Sequence, residues 1–161
     1  MQVDSDGDGV DNGGDLCRDA SETANGFKDG DGCPDELPED LASTLRSYSY
    51  AEPEMKATAR TGQPSARLRR VLGKLASMMR AYPEIRLEIV WHTHSDGGVA
   101  YSMEYDKRSA LVVKAYLVEH ERISPDRLDA RGAGADEPVD TNKSAEGRKH
   151  NRRVEFKLQR P

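Results

Sequence analysis

The sequence predicts a mixed α/β (α+β) fold: one mixed β-sheet with helices packed on one face, preceded by an irregular acidic segment. Three observations lead to this prediction. Strand-like and helix-like apolar patterns alternate through the second part of the chain, turn-forming Pro and Gly residues separate them, and the first 40 residues carry no apolar periodicity. We therefore divide the chain into an acidic segment, residues 1–40, and an α/β domain, residues 41–161.

Six elements in the order βαβαββ account for the α/β domain, and the last two strands are expected to form a hairpin. Apolar residues recur at helical spacing over residues 67–82 until Pro83 stops the run, which predicts a helix. Residues 105–120 repeat this spacing and predict a second helix. Short apolar or alternating runs predict strands over residues 55–60, 86–91, 127–131 and 152–158.

Charge is divided unevenly between the two parts. Residues 1–40 carry 13 Asp and Glu side chains against Arg18 and Lys28, a net charge of −11; because the whole chain carries −5, the remainder carries +6. The acidic part calls for cations, and the mildly basic part suits carboxylates or phosphates. Basic residues alternate with acidic ones instead of clustering, which argues against a nucleic-acid partner.

No apolar run in the chain approaches the roughly 20 residues that cross a bilayer, and the mean hydropathy is −0.83. No charged and then apolar leader follows Met1. We therefore expect a water-soluble region; if it belongs to an envelope protein, the export signal and any membrane anchor lie upstream of this sequence.

Both cysteines of the chain, Cys17 and Cys33, fall in the acidic segment. An even count in a short, loop-rich stretch suggests one disulfide, and hence an oxidising compartment such as the periplasm. Two free thiols in a cytosolic protein are the alternative. A structural zinc site is disfavoured because the chain has no CxxC spacing.

Oxygen-bearing side chains recur at the spacing of a calcium loop between residues 4 and 15. Gly9 falls where such a loop turns sharply, and no helical pattern flanks the stretch as it would in an EF-hand. The pattern resembles the thrombospondin type 3 repeat, which implies a structural Ca²⁺. The alternative is a disordered acidic linker that binds calcium loosely. The predicted ligands are Asp4, Asp6, Asp8, the carbonyl of Val10, Asn12 and Asp15.

A second, incomplete copy of the repeat follows at residues 25–35. It lacks the first Asp of the pattern, so the sequence predicts a weaker second site formed by Asp29, Asp31 and Asp35.

A frame of about 60 residues dominates the α/β domain. It opens with HTHSDG at residues 92–97, directly after an apolar strand, passes through a Gly-Ala-Gly turn at residues 132–134, and closes with AEGRKHNRRV at residues 145–154. This order and spacing resemble the OmpA-like domain, the peptidoglycan-binding module of bacterial envelope proteins. The resemblance covers roughly residues 54–160 and implies the βαβαββ sheet described above.

The resemblance also implies a ligand clamp, and this chain departs from it. The family binds the diaminopimelate of a peptidoglycan stem peptide through the Asp of a GHTD motif, which takes the ammonium group, and the Arg of an LSxxRA motif, which takes a carboxylate. Those two positions hold His94 and Ser109 here. Losing two charge-assisted hydrogen bonds, at about 1.5–3 kcal/mol each, predicts binding weakened by about a hundredfold or more.

Several neighbours are candidates to replace the lost groups. Asp96 can supply an anion, although turn chemistry beside Gly97 and Gly98 favours a role for it in forming the turn. A cation can come from Arg152 or Arg153. Ser102 takes the place of the Asn that follows the family's Tyr, and Arg108 is rotated by about 100° from the Ser109 position on the helix.

A zinc hydrolase is a distant alternative, because His92, His94 and Asp96 follow the HxHxD spacing of metallo-β-lactamases. Gly97 stands where that motif needs another His, and no other nucleophile set is evident. The sequence therefore predicts a non-enzymatic envelope module, periplasmic and part of an outer-membrane-associated protein of a Gram-negative bacterium. It would bind peptidoglycan weakly or bind a different target; the alternative is a degenerate, calcium-stabilised protein-interaction module.

Overall fold

The computed structural model of the protein describes residues 3–48, 61–94 and 99–159, and the side chains of these residues except 47–48 and 99–102. The predicted strand over residues 55–60 lies outside the described residues. The described helices and strands, in chain order, are α1 (Glu39–Tyr48), α2 (Ala66–Ala81), β1 (Leu87–His92), α3 (Val99–Glu119), a 3-10 turn (Pro125–Arg127), β2 (Leu128–Gly134), α4 (Ala145–Asn151) and β3 (Arg153–Leu158).

The three described strands form one mixed sheet with the order β2-β1-β3. Strand β1 runs parallel to β2 and antiparallel to β3, with Leu87 opposite Leu128 on one side and opposite Leu158 on the other. The predicted mixed α/β class is confirmed. The predicted hairpin between the last two strands is wrong, because β1 lies between them and the chain passes through α4 from one to the other.

The sheet separates an apolar face from a charged one. Alternate residues of β1, namely Leu87, Ile89 and Trp91, are fully buried in the hydrophobic cluster to which α1, α2 and α3 also contribute. The residues between them belong to the opposite face, where Glu88 binds Arg131 of β2 at 3.0 Å. The alternation therefore explains why the helices gather on one side of the sheet.

Helix α2 has a well-defined start and end. The Ser65 side chain accepts a hydrogen bond from the N–H of Leu68 at the first turn. At the other end the guanidinium of Arg127 donates to the carbonyl oxygens of Met79 and Tyr82, both at 2.8 Å. These bonds satisfy carbonyl groups that a helix end leaves without intrahelical partners, and they tie α2 to the turn before β2.

Two helices are absent from the sequence prediction. Helix α1 begins at Glu39 and places Leu41 in the core with no exposed surface. Helix α4 is short and is capped by the Ser144 side chain, which accepts from the N–H of Gly147 at 3.0 Å. The predicted boundary between residues 40 and 41 therefore falls inside α1, and the division into two domains stays a prediction.

The acidic segment packs on the core of the α/β domain through Phe27 and, near its end, through Leu37. Phe27 is 6% exposed and belongs to the hydrophobic cluster, where its ring meets that of Tyr82 edge to face at 6.0 Å between centroids. Gly26 before it has φ +86°, and a Cβ at that position would lie 2.8 Å from Cβ of Leu158. Glycine is therefore needed at this contact for both its backbone conformation and its size.

Candidate functional site

The candidate binding site lies where the carboxyl ends of the parallel strands β1 and β2 meet the first half of α3. The N–H of Thr93, just after β1, donates to the carbonyl of Gly134 at 2.9 Å. Helix α3 approaches β2 so closely at Gly132 that a Cβ there would lie 2.8 Å from Cβ of Asp106. Glycine at this position therefore allows the helix to cover the ends of both strands.

The two positions of the family clamp carry neither of the expected charges. His94 follows β1 and is half-buried. Ser109 on α3 is fully buried, and its hydroxyl donates to the carbonyl of Tyr105 at 3.0 Å. Arg108, its neighbour, is exposed. A hydroxyl that is already bonded within its own helix does not supply the fixed cation that a carboxylate requires.

Two further candidates fall at the border of the described part of the chain. Asp96 lies outside the described residues. Ser102 lies within α3, but its side chain is not among those described. Both therefore stay predictions.

A buried carboxyl group that the sequence analysis did not single out stands at the same place. Asp106 has no exposed surface, and neither oxygen has a hydrogen-bond partner of acceptable geometry. Burial raises its pKa to about 7, and the nearby backbone N–H groups of Gly134 and Thr93 oppose this only in part. Because the Thr93 N–H donates to the Gly134 carbonyl, it compensates the Asp106 carboxyl only weakly.

The sequence did contain a signal for Asp106. Counting back from the apolar residues Val113 and Ala110 by seven and by four residues leads to position 106 on the inward face of α3. The LSxxRA motif has its Ser at this position when its Arg is aligned with Ser109. The chain therefore has an acid where the family has a hydroxyl, and a hydroxyl where the family has a base.

The two candidate arginines differ in their availability to a ligand. Arg153 is 3% exposed, and its guanidinium binds Glu155 at 2.5 Å and the carbonyl oxygens of Glu137 and Asn151 at 3.0 and 3.3 Å. Arg152 is half-buried at the end of α4. Because the donors of Arg153 are already used within the protein, Arg152 is the better candidate for binding an anion.

The charged face of the sheet is a network centred on Glu155. Its carboxylate lies 2.5 Å from Arg153 Nε, 3.0 Å from Lys157 Nζ and 3.5 Å from His92 Nε2. Burial alone would raise the pKa of Glu155, but the contacts with His92, Lys157 and Arg153 outweigh it and hold the pKa well below its usual range. His92 is thus a buried structural residue on this face.

The zinc alternative finds no geometric support in the described part of the chain. His92 and His94 belong to no group of three metal-binding side chains there, and the third member of the predicted set, Asp96, is outside it. His92 contacts Glu155 instead.

The acidic segment contains a group of three carboxylates that are close enough to share a cation. One oxygen each from Asp4, Asp6 and Asp8 lie within 4.8 Å of one another, a separation reached by no other set of three His, Cys or acidic side chains in the described residues. Both oxygens of Asp6 are inaccessible and without a hydrogen-bond partner. Its pKa is raised by burial and by the charge of Asp8.

The remaining predicted ligands of the first loop differ in how far their oxygen atoms are already hydrogen-bonded. Asp15 is 4% exposed; one oxygen accepts from the N–H of Cys17 at 2.6 Å, and the other has no partner. The side-chain carbonyl of Asn12 accepts from the N–H of Ser5, and its amide NH₂ donates to the Ser5 hydroxyl. Val10 donates its N–H to Asp8, which leaves its carbonyl as the predicted ligand group. Asp15 thus keeps one inaccessible carboxylate oxygen without a hydrogen-bond partner in the described residues.

A disulfide joins the two loops of the acidic segment. Cys17 and Cys33 are bonded, with their Cα atoms 5.0 Å apart. The predicted second set, Asp29, Asp31 and Asp35, lies in the loop closed by this bond and just after it. Each of its members accepts hydrogen bonds from backbone N–H groups or from a side-chain amide of the same loop.

Comparison with known proteins decides the family. Residues 63–152 match the family model described as "OmpA family". The chain belongs to the OmpA family. It is 41% identical over 90 residues to Outer membrane protein A of Bordetella avium, covering 56% of this chain and 46% of that protein. It is 31% identical over 86 residues to Peptidoglycan-binding protein ArfA of Mycobacterium bovis, covering 53% of this chain and 26% of that protein.

The fold also recurs among solved structures. The peptidoglycan-associated lipoprotein of Burkholderia pseudomallei superposes with a TM-score of 0.56 at 18% identity, over 61% of this chain and 82% of that one. The chain spans less than half the length of the curated relatives it matches. None of the helices described is long and apolar enough to cross a membrane. The alternative of a calcium-stabilised protein-interaction module gains no support from these relatives.

Proposed function

We propose that this chain is a non-enzymatic module of the bacterial cell envelope that attaches non-covalently to peptidoglycan. Membership of the OmpA family supports this proposal, as does the relative that is named a peptidoglycan-binding protein. The matching outer-membrane proteins favour a periplasmic location, in a protein associated with the outer membrane of a Gram-negative bacterium.

The observation that most shapes the proposal is the buried Ser109 at the position of the family's Arg. A neutral hydroxyl bonded to Tyr105 cannot form the bidentate contact that guanidinium makes with a carboxylate. His94 at the Asp position would repel an ammonium group when it is protonated. We therefore propose weakened binding of diaminopimelate, with Arg152 as the available cation.

Restoring the clamp tests this proposal. The double variant His94→Asp, Ser109→Arg should increase the affinity of the purified chain for sacculi by about a hundredfold or more, because each of the two restored charged hydrogen bonds contributes about 1.5–3 kcal/mol. Free diaminopimelate should compete with the sacculi for the binding site and release the retained protein. A co-sedimentation titration measures both effects.

The control places the same residue types elsewhere. His120→Asp with Ser77→Arg, both at exposed positions, introduces equal charges far from the candidate site and should leave retention unchanged. Because Ser109 is buried, circular dichroism must show that the restored variant is folded, and His94→Asp alone provides a milder change. If the double variant, His94→Asp and the wild type all fail to be retained, the proposal that this domain attaches to peptidoglycan is wrong.

We also propose a structural Ca²⁺ bound by Asp4, Asp6, Asp8 and Asp15. The convergence of three carboxylates within 4.8 Å supports it, together with inaccessible, unpartnered oxygens on Asp6 and Asp15. Burying such charges without compensation is unfavourable, and calcium prefers six to eight oxygen ligands. When bound, the ion would supply the missing positive charge and fix the loop.

Thermal unfolding with and without CaCl₂ tests the first calcium site. A ligand at a hundredfold excess over its Kd stabilises a protein by about 2.7 kcal/mol, so the unfolding temperature of this segment should rise. Asp6→Asn should reduce that rise, whereas Asp19→Asn, an exposed position in the same segment, should not. An equal rise in wild type and Asp6→Asn would rule out this ligand set.

A further inference from the structure

The positive charge of the α/β domain is concentrated on one helix, α2. Residues 41–161 carry a net charge of +6. Residues 61–83, which include α2, contain five basic side chains and no Asp or Glu, a net charge of +5. The rest of the domain therefore contributes +1. The alternation of basic and acidic residues along the rest of the domain does not extend to this helix.

Three of these basic residues form a stripe along the exposed side of α2, which we call the basic stripe. Arg67, Arg70 and Lys74 are three and four residues apart, so at 100° per residue they lie within an arc of about 60°. All three are exposed, and none has an ion pair or a side-chain hydrogen bond in the described part of the chain. Arg80 differs, because its guanidinium donates to the carbonyl of Glu121 at 2.9 Å.

The basic stripe opposes the stability of its own helix. Arg67 lies in the first turn of α2, where the helix dipole favours acidic residues and where α2 has none. Arg67 with Arg70, and Arg70 with Lys74, place like charges at spacings that destabilise a helix. The Ser65 cap and the buried apolar side maintain α2 despite these repulsions. A local conflict of this kind is expected where a surface has a binding role.

The surface around the basic stripe carries small side chains. Ala66, Ser77 and Ala81 lie on the same side of α2 and are exposed. None of the large hydrophobic residues that are exposed in the described ranges belongs to this helix. A helix that inserts into a bilayer needs a bulky apolar face. The convex, polar surface of α2 instead complements an extended surface that presents anionic groups to water.

We propose that the basic stripe of α2 is a docking surface for a phospholipid membrane with anionic headgroups. Guanidinium and ammonium groups bind phosphate oxygens through charged hydrogen bonds. Each Lys or Arg held near an anionic membrane increases affinity about fivefold. Three such residues bind a free domain only weakly, but they suffice for a domain that is already kept close to the membrane.

The outer-membrane association proposed above places such a surface within reach. The inference therefore relies on the proposed location of the chain, but it does not rely on peptidoglycan binding. The candidate peptidoglycan site is built from the ends of β1 and β2, from α3 and from the end of α4, and it includes no residue of α2.

The acidic segment contacts the opposite end of α2 and would orient the docked domain. Phe27 of this segment meets Tyr82, the residue directly after α2. Tyr82 follows Arg67 by 15 positions, which is about 22 Å along the helix at 1.5 Å per residue. This separation exceeds the Debye length of about 8 Å at physiological ionic strength. An anionic membrane would therefore attract the beginning of α2 and repel the acidic segment, although the whole chain carries −5.

Co-sedimentation of the full chain with vesicles at low salt tests the proposal. One probe contains phosphatidylglycerol and phosphatidylcholine in equal parts, and the other contains phosphatidylcholine alone. The wild type should bind the anionic vesicles and not the neutral ones, and about 1 M NaCl, where the Debye length is about 3 Å, should release it. The double variant Arg67→Gln, Arg70→Gln should bind anionic vesicles about 25-fold more weakly.

The matched control is Lys143→Gln with Lys149→Gln, which removes the same charge from exposed positions in and before α4. Its binding to anionic vesicles should stay close to that of the wild type. Folding of Arg67→Gln, Arg70→Gln is not threatened, because Gln is a good helix former and removes the repulsion between turns. Its unfolding temperature should equal or exceed that of the wild type.

Three results would overturn the proposal. The first is a wild type that binds neither kind of vesicle or binds both equally, and the second is an Arg67→Gln, Arg70→Gln protein that binds anionic vesicles as the wild type does. The third is an equal loss of binding in the control. Sacculi are a separate probe: if the wild type fails on sacculi but binds anionic vesicles, peptidoglycan attachment is wrong and membrane docking stands.

Discussion

The acidic segment and the α/β domain both place carboxylates out of reach of solvent, but they compensate the charge in different ways. In the domain, Glu155 is bound by Arg153 and Lys157 and lies near His92. In the segment, both carboxylate oxygens of Asp6 are inaccessible, and no basic side chain of the described residues pairs with them. The domain's own basic side chains therefore compensate Glu155, whereas Asp106 in the domain and Asp6 in the segment have no basic partner among the described residues.

The same contrast holds for apolar packing. The domain has a continuous cluster that joins helices and sheet. Phe27 is the one buried hydrophobic residue among residues 3–35, and Val3 and Leu16 are 60% and 77% exposed. A stretch with so little core relies on other constraints, here a disulfide and many short-range bonds from Asp side chains to backbone N–H groups. Predictions that remove one constraint at a time separate the two modes of stabilisation.

Glu155→Gln should give the largest effect, because it removes the anion at the centre of the buried network. The guanidinium of Arg153 would then lack its charged partner, and breaking a buried ion pair costs about 3–5 kcal/mol. Urea unfolding at pH 7 measures this loss. Since the folded pKa of Glu155 is depressed, its contribution is present above about pH 4.5 and is lost as pH falls further, so wild type and variant should converge in acid.

The control for this experiment is Glu119→Gln, which changes an exposed carboxylate at the end of α3. It should alter stability by less than about 0.5 kcal/mol, as surface substitutions do. A Glu155→Gln protein as stable as the control at pH 7 would show that the charged face of the sheet contributes little to the domain.

Removing the disulfide with Cys17→Ser and Cys33→Ser should have the next largest effect, confined to the acidic segment. Closing a loop of 16 residues stabilises by about 3 kcal/mol in the chain-entropy account. The segment should become sensitive to limited proteolysis while residues 61–159 stay protected. Reducing agent should give the wild type the same cleavage pattern. Cleavage within the domain at an equal rate would mean that the two regions unfold together.

Much of the fold could be predicted because its elements follow strong patterns. The helix predicted over residues 67–82 spans Ala66–Ala81, and the strand predicted over residues 86–91 spans Leu87–His92. Helix α3 begins six residues before its predicted start, since its first turns carry no apolar periodicity. Helix α4 was not predicted, because seven residues with a polar sequence give no periodic apolar signal. The Ser144 cap and the contacts of the surrounding domain stabilise this helix.

The candidate site was predictable where chemistry follows from sequence spacing alone. Ser109 faces inward and Arg108 is exposed, as the rotation per residue along a helix requires. The engagement of Arg153 with Glu155 depends on a cross-strand network, and no single-strand pattern reveals it. Asp106 differs from Arg153, because its inward position could have been found from the helical spacing along α3.

Asp106→Asn should give the smallest of these effects and the one with the clearest pH dependence. With its folded pKa raised to about 7, Asp106 is protonated more readily in the folded than in the unfolded chain. Ionisation of Asp106 therefore lowers the free energy of unfolding. The full loss is present above about pH 7, and there is no loss below about pH 4. The variant should be more stable than wild type by about 1–3 kcal/mol at pH 8, with the difference shrinking towards pH 4.

Asp136→Asn, at an exposed position after β2, is the matched control and should show no such pH dependence. Urea unfolding of the three proteins between pH 4 and pH 8 makes the comparison. A constant difference between Asp106→Asn and wild type over this range would mean that the Asp106 carboxyl is not desolvated. The charge of Asp106 on α3 would then be compensated within the domain, as the charge of Glu155 is.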